Sequence, residues 1–223
     1  MIIENNDIIG AFNGYAPIFS ISNFVMFPST TYNFNIFEPK YRKMVEDISK
    51  ENKLFAIHMK TDLLESGVSE IGTLCQIIDS KQLDNGNYDI IVTGLKKVRI
   101  NKSKNSKDNY NVASLELIQE NNSIHQEQLK RKKLINKFLS LVSNSEDNLN
   151  LNLIDTSMIS TEMLTNLASL ILPLDKEDKQ KLLELDEIGV RLEVLCQFLD
   201  SELKVENDLV NFKQIIPTNI NWN

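Results

Sequence analysis

Histidine and cysteine are scarce in this chain, two of each among 223 residues. Cys75 and Cys196 stand 121 positions apart, which fits neither a disulfide framework nor a CxxC pair. Both sit among apolar neighbours and read as small buried hydrophobes. His58 and His125 are alone in their neighbourhoods, with no second ligand at metal spacing, so no metal or other cofactor is expected. No stretch approaches the ~18 uninterrupted apolar residues of a membrane-crossing helix. Met1 to Gly14 lacks the basic segment and apolar core of an export signal, so a soluble, cytoplasmic protein is expected.

Positive charge is also in deficit. The net charge is −7; residues 1–117 hold 13 Lys+Arg against 14 Asp+Glu, and residues 118–223 hold 11 against 17. The second half therefore carries −6 of the total. A nucleic-acid backbone repels such a surface, and the one basic run, Lys130-Arg131-Lys132-Lys133, reads as a solvated helix face. Hydrophobic residues at 42% and charged residues at 25% are globular values, enough for a packed core.

Period-two patterning dominates the first half. Ala16 to Ile21 alternates, and Tyr32, Phe34 and Ile36 share one face of a second strand. Pro39 suits the first position of a helix, where its missing N–H costs nothing. Tyr41, Met44, Val45 and Ile48 then fall at i, i+3, i+4 and i+7, a single buried stripe. Leu54–Met59, Gly72–Asp79, Tyr88–Val92, Leu95–Ile100 and Tyr110–Leu117 read as further strands, six or seven in all. Asp84-Asn85-Gly86-Asn87 supplies a tight hairpin turn with positive φ values, and Gly94 marks a bend or bulge.

Beyond Gln119 the period becomes 3.6. Leu134, Ile135, Phe138, Leu141 and Val142 form one stripe. Ser160-Thr161-Glu162 starts a second helix that Pro173 stops, and Asp175 with Asp178 makes a cap-like start to a third, running through Leu185. Ile188, Leu192, Leu195, Leu199 and Leu203 line a last one. The expected division is a flexible leader 1–15, a β subdomain 16–119, a helical bundle 120–206 and an extended tail 207–223, the tail marked by Pro217 and its Asn neighbours, with Trp222 as its probe.

Read with its residues, this order resembles the amino-terminal, substrate-binding domain of Lon proteases over about residues 16–206, in the form of a stand-alone member. Pro17-Ile18-Phe19-Ser20-Ile21 to Val25-Met26-Phe27-Pro28, Phe37-Glu38-Pro39-Lys40-Tyr41-Arg42, Gly72-Thr73-Leu74-Cys75-Gln76-Ile77 and Val92-Thr93-Gly94-Leu95-Lys96-Lys97-Val98 follow the family's order. Leu167-Ala168-Ser169-Leu170 and Arg191-Leu192-Glu193-Val194-Leu195 are similar to its closing bundle. Ser29 departs from the Gly found in many members. The resemblance implies an α+β fold, a PUA-like β pseudo-barrel with one inserted helix followed by a helical bundle, and a role in recognising polypeptides.

Catalytic patterns are thin. Gly67–Thr73 has two glycines but lacks the Lys of a phosphate loop, no G-x-S-x-G elbow exists, and the paired acids lie on helix faces. The chain is therefore read as a non-catalytic binding protein that meets unfolded or client polypeptides, as adaptor or regulator of proteolysis alongside a separate protease. Two other readings stand beside it: a scaffold for one folded partner, and an RNA-binding PUA-like module, which the charge disfavours. Self-association through a sheet edge is a further option. Phe24, Phe27, Tyr32, Phe34, Phe37 and Tyr41 crowd into 18 positions, more aromatic surface than one amphipathic strand buries. Phe27, Phe37 and Tyr41 are the expected walls of a polypeptide groove.

Overall fold

Strands alternate with a single helix through the first half of the chain: β1 (Tyr15–Ser22), β2 (Thr31–Ile36), α1 (Pro39–Ser49), β3 (Leu54–Lys60), β4 (Val68–Gln82), β5 (Tyr88–Asn105) and β6 (Asn111–Leu117). The computed structural model describes residues 7–60, 68–105, 110–121, 127–143 and 159–201. His125, Gly67 and the segment 207–223 with Pro217 and Trp222 lie outside them, as do the side chains of Phe138, Leu141, Val142 and Leu203. The chain separates into two compact units, Met1–Ile118 and Gln119–Asn223.

In the first unit the sheet order is β2-β5-β4-β3-β1-β6, and a second pairing joins β6 to β5. Strands β5, β4, β3, β1 and β6 thus close into a ring, and β2 attaches to β5 alone. The 18 residues of β5 serve three partners: β2 along Tyr88–Thr93, β6 from Val98 onward, and β4 along the opposite edge. What the sequence splits at Gly94 into two strands is one strand with a bulge, where the register slips between Leu74 and Cys75. The β1–β3 pair is parallel, so the chain must cross over between them, and β2 and α1 make that crossover.

Two cores result. Ala16, Ile18, Leu54, Ala56, Leu74, Leu95, Val98, Ile100, Ala113 and Leu115 pack together, every ring strand contributing and neither β2 nor α1, so this is the ring's interior. The second cluster joins Met26, Ile36 and the α1 stripe to Phe55, Ile57, Cys75, Ile77, Ile90 and Val92. Strand β3 lies between the two and is buried on both faces, which is why it reads as a continuous apolar run and not as an alternation. Helix α1 buries Tyr41, Met44, Val45 and Ile48, the four positions that the spacing selects. Arg42 donates to the Gly86 carbonyl at 3.2 Å and ties the helix to the hairpin tip. That hairpin differs from the expected tight turn: only Gly86 has positive φ, +80°, and Leu83 and Asn87 are bonded outside it, a longer loop ending in a left-handed glycine.

The segment Phe24–Thr30 lies across the bulge of β5. Ser29 N–H donates to Gly94 O at 2.8 Å, Gly94 N–H to Thr30 O at 2.9 Å, and the Thr73 hydroxyl to Met26 O at 2.6 Å. Ser29 holds a φ of 58°, the left-handed region where glycine is the relaxed choice, so serine adopts this turn at a steric cost.

The second unit holds α2 (Glu127–Ser143), α3 (Thr161–Ile171), α4 (Lys176–Glu184) and α5 (Ile188–Ser201). Ser160 caps α3, accepting from Met163 N–H at 3.0 Å. Asp175 makes no such bond, Asp178 is turned to Lys181 at 2.7 Å, and Leu185 lies just past the end of α4 and not within it. Lys179 donates to the Leu170 carbonyl at 2.7 Å, closing the end of α3, and burial lowers its pKa to about 8. Ile188, Leu192, Leu195 and Leu199 are buried as their spacing requires. Arg191, on the same stripe, is completely buried. It donates to Leu182 O at 2.8 Å, Leu185 O at 3.0 Å and Asn166 Oδ1 at 2.5 Å, and forms an ion pair with Glu120.

Candidate functional site

Strand β2 turns Tyr32, Phe34 and Ile36 toward the α1 core, and only Ile36 is fully covered. The uncovered rings meet neighbours supplied by two other segments. Phe24, from the loop after β1, lies 4.5 Å from Tyr32 and 5.2 Å from Phe34 between ring centroids. Phe19 of β1 continues the chain, 5.8 Å from Phe34 and 4.5 Å from Tyr41. The result is a connected aromatic face, each pair tilted or edge-on as ring quadrupoles favour, with Phe19, Phe24, Tyr32 and Phe34 all partly open to solvent.

The three expected groove walls fall in different places. Phe37 is 65% exposed, just past the end of β2. Tyr41 is 4% exposed; its ring backs Phe19, its hydroxyl meets the Ser20 backbone, and Lys40 Nζ stands 4.6 Å from its centroid. Phe27 is 0% exposed and belongs to the loop that crosses Gly94. Phe27 and Tyr41 are thus corrections: a side chain withdrawn from solvent cannot wall a groove, and both were displaced because the chain closes over them in three dimensions. Phe19, which the sequence assigns only to a half-buried strand, is partly exposed beside Phe34. Its position on the alternating face of β1 gave the one signal.

A serine and a histidine also meet here. Ser20 Oγ lies 2.6 Å from His58 Nε2, and His58 Nδ1 lies 3.0 Å from the Ser69 carbonyl. A carbonyl only accepts, so Nδ1 carries the proton and neutral Nε2 accepts from the Ser20 hydroxyl. Both ring nitrogens are occupied, and burial holds the imidazole below its ordinary 6.5. The pair stitches β1, β3 and β4. Because the folded value is depressed, the unfolded chain binds the proton first. The stability His58 provides is complete above about pH 6.5 and falls as pH drops through the folded value. Urea unfolding at pH 7.5 and pH 5 should show this slope in the wild type and a flatter one in His58→Gln.

Elsewhere the candidates resolve into packing. Gly72 of the phosphate-loop mimic lies inside β4, opposite His58. Lys130 and Lys133 of the basic run pair with Glu193 and Asp200 of α5 at 2.8 and 2.6 Å. Cys75 is fully buried, and desolvation pushes its thiol pKa up. Among the described residues no three of His, Cys, Asp or Glu are placed to hold a metal ion, and no helix is long and apolar enough to cross a membrane. The helical unit carries an open groove of about 620 Å³ lined by Leu174, Leu182, Leu185, Val194, Leu195 and Phe198.

Residues 15–201 match the family model described as the ATP-dependent protease La (LON) substrate-binding domain. The chain belongs to this family. It is 26% identical over 195 residues to the Lon protease of Buchnera aphidicola subsp. Acyrthosiphon pisum (strain APS), covering 84% of this chain and 25% of that relative. It is 25% identical over 206 residues to the Lon protease of Brevibacillus choshinensis, covering 85% and 25%. The chain therefore spans about a quarter of the length of these proteases. Among solved structures it is similar in fold to the N-terminal domain of a Mycobacterium avium complex Lon protease, with TM-score 0.70, 14% identity and coverage of 85% of this chain and 100% of that one. A Lon N-terminal domain protein from Xanthomonas campestris gives 0.62, 19%, 82% and 98%.

Proposed function

We propose that this Lon-type domain binds unfolded or partly unfolded polypeptides as a non-catalytic recognition module, acting in the cytoplasm as adaptor or regulator of proteolysis with a separate protease. The connected, partly exposed aromatic face of Phe19, Phe24, Tyr32 and Phe34 is the observation that carries this reading. Stable folded proteins bury such rings, and a denatured chain offers the apolar side chains that complement them. Phe37, exposed just past β2, is taken as a further contact for the bound chain, and Tyr41 supports Phe19 from beneath. The substrate-binding description of the family supports the same reading, and the acidic charge disfavours RNA.

The test is affinity for a permanently unfolded protein, such as reduced and carboxymethylated lysozyme, against the same protein in native form. The wild-type domain should retain the unfolded form selectively. Phe24→Ala combined with Tyr32→Ala should weaken that binding tenfold or more, about 1.4 kcal/mol, as expected when aromatic anchors are truncated. Equal affinity for unfolded and native forms, or an unchanged double variant, would refute the proposal. The apolar groove between α4 and α5 favours a second reading, a scaffold that seats one folded partner, and substitution of Val194 by Asp would then abolish capture of native bait alone.

A further inference from the structure

The backbone of β2 carries information that its side chains do not. Gly94 N–H donates to Thr30 O, and Thr31 stands opposite Thr93. That bond pattern makes Thr31–Thr93 a wide, non-hydrogen-bonded pair. Down the ladder, Tyr32, Phe34 and Ile36 must then spend their N–H and C=O groups on β5, while Thr31, Asn33 and Asn35 point theirs away from it. β2 is the terminal strand of the sheet order, so those groups face an edge that no strand among the described residues occupies.

Sheet edges are usually guarded by charge, proline or a bulge. A second edge without a strand partner among the described residues, β4 beyond Gln76, carries Asp79 and Lys81. β2, with the sequence Thr-Tyr-Asn-Phe-Asn-Ile, has none of these guards, and its register with β5 is unbroken. One strand therefore combines an unguarded row of backbone donors and acceptors with a partly open aromatic face.

We infer that an extended client segment adds to the free edge of β2 as a further strand, with large uncharged side chains at alternate positions resting on the Phe24, Tyr32 and Phe34 face. The inference rests on the polypeptide-binding reading and specifies its substrate class and mode. Absence of charge on β2 selects against charged segments at the inward positions and makes the contact insensitive to salt. A strand of six residues is about 20 Å long and buries far less than the ~1,200 Å² of a stable interface. The occupant is accordingly a transiently held unfolded segment, not a second copy of this chain.

The probe is a fluorescent decapeptide alternating Phe or Val with Thr and made soluble by an uncharged ethylene-glycol tail. Its affinity should change less than twofold between 50 and 500 mM salt, and a permuted peptide of equal composition should bind tenfold or more weakly. Asn33→Pro removes one outward N–H while sparing the β5 ladder and the aromatic face, and should weaken binding tenfold or more, whereas Asn33→Ala should stay within twofold. Methylating the backbone nitrogens of one alternate set of peptide residues should abolish binding, and of the other set should not. This last comparison leaves the protein untouched and decides the matter if Asn33→Pro does not fold. Absent binding of the alternating peptide, equal binding of the permuted one, equal effects of the two methylated sets, or conversion of a dimer to a monomer by Asn33→Pro would each overturn strand addition. Loss of unfolded-protein binding in Phe24→Ala/Tyr32→Ala with full retention in Asn33→Pro would overturn strand addition alone and leave the proposed function standing.

Discussion

Arg191→Met is expected to cost the helical unit about 3–5 kcal/mol, the range for breaking a buried ion pair from one side. The guanidinium is completely buried and satisfies four acceptors at once: the Leu182 and Leu185 carbonyls, Asn166 Oδ1 and the Glu120 carboxylate. Methionine fills much of the volume but donates nothing, so a carboxylate with side-chain exposure of only 6% loses the Arg191 charge. The two carbonyls lie near the end of α4, where helical carbonyls lack intrahelical partners, so the same substitution frays the α4–α5 connection. Lysine in place of Arg191 should recover only part of the loss, because one ammonium cannot reach acceptors arranged around a planar fork. Chemical denaturation followed by far-ultraviolet circular dichroism measures the effect. Combining Arg191→Met with Glu120→Gln should cost less than the sum of the two singles, and strict additivity would show that the pair is not coupled.

Gly94→Ala should destabilise the β unit by about 3 kcal/mol or more, a large effect for one methyl group. A Cβ at this position would stand 2.2 Å from the Phe27 carbonyl oxygen and 3.0 Å from its carbon. Backbone, not a flexible side chain, must move. That backbone is fixed on every side: Thr30 Oγ1 donates to Phe27 O at 2.7 Å, Ser29 N–H to Gly94 O, and Thr73 Oγ1 to Met26 O. Retreat of the loop loses one or more of these bonds at about 1 kcal/mol each, in addition to the overpacking cost of about 1–3 kcal/mol. It also shifts the segment that carries Phe24, so binding of unfolded protein should weaken along with stability. Gly10→Ala is the control, since a Cβ there meets nothing within 4 Å, and its midpoint should lie at or slightly above the wild type, as alanine in a helical turn requires. Equal midpoints for Gly94→Ala and Gly10→Ala would contradict the close approach.

The elements with strong periodicity were legible in advance. The α1 stripe of Tyr41, Met44, Val45 and Ile48 and the α5 stripe of Ile188, Leu192, Leu195 and Leu199 are buried as the spacing demands, and the Ser160 cap forms. Arg191 was not singled out in advance, although three after Ile188 and four before Leu195 it falls on the apolar stripe, where a charge must have partners. Position alone did not name Glu120 and the Leu182 carbonyl as those partners, since neither is near it in sequence. Gly94 signalled an irregularity, yet the reason for it, the carbonyl of Phe27, comes from a residue 67 positions earlier.

The aromatic site divides in the same way. Composition revealed a surplus of rings between Phe24 and Tyr41 but not which of them the fold would seal, because burial depends on what closes overhead and periodicity reports only which side chains share a face. Sequence by itself determined the α+β order, the strand-then-helix division of the chain and the core stripes, since each follows from local spacing and backbone preference. Only the tertiary structure decided that β5 closes a ring with β6, that β2 has no second strand beside it among the described residues, and that Phe19 joins the exposed rings while Phe27 leaves them. Those outcomes depend on pairing between segments far apart in the chain, and the free energy of that pairing is a property of the assembled sheet that no single segment carries.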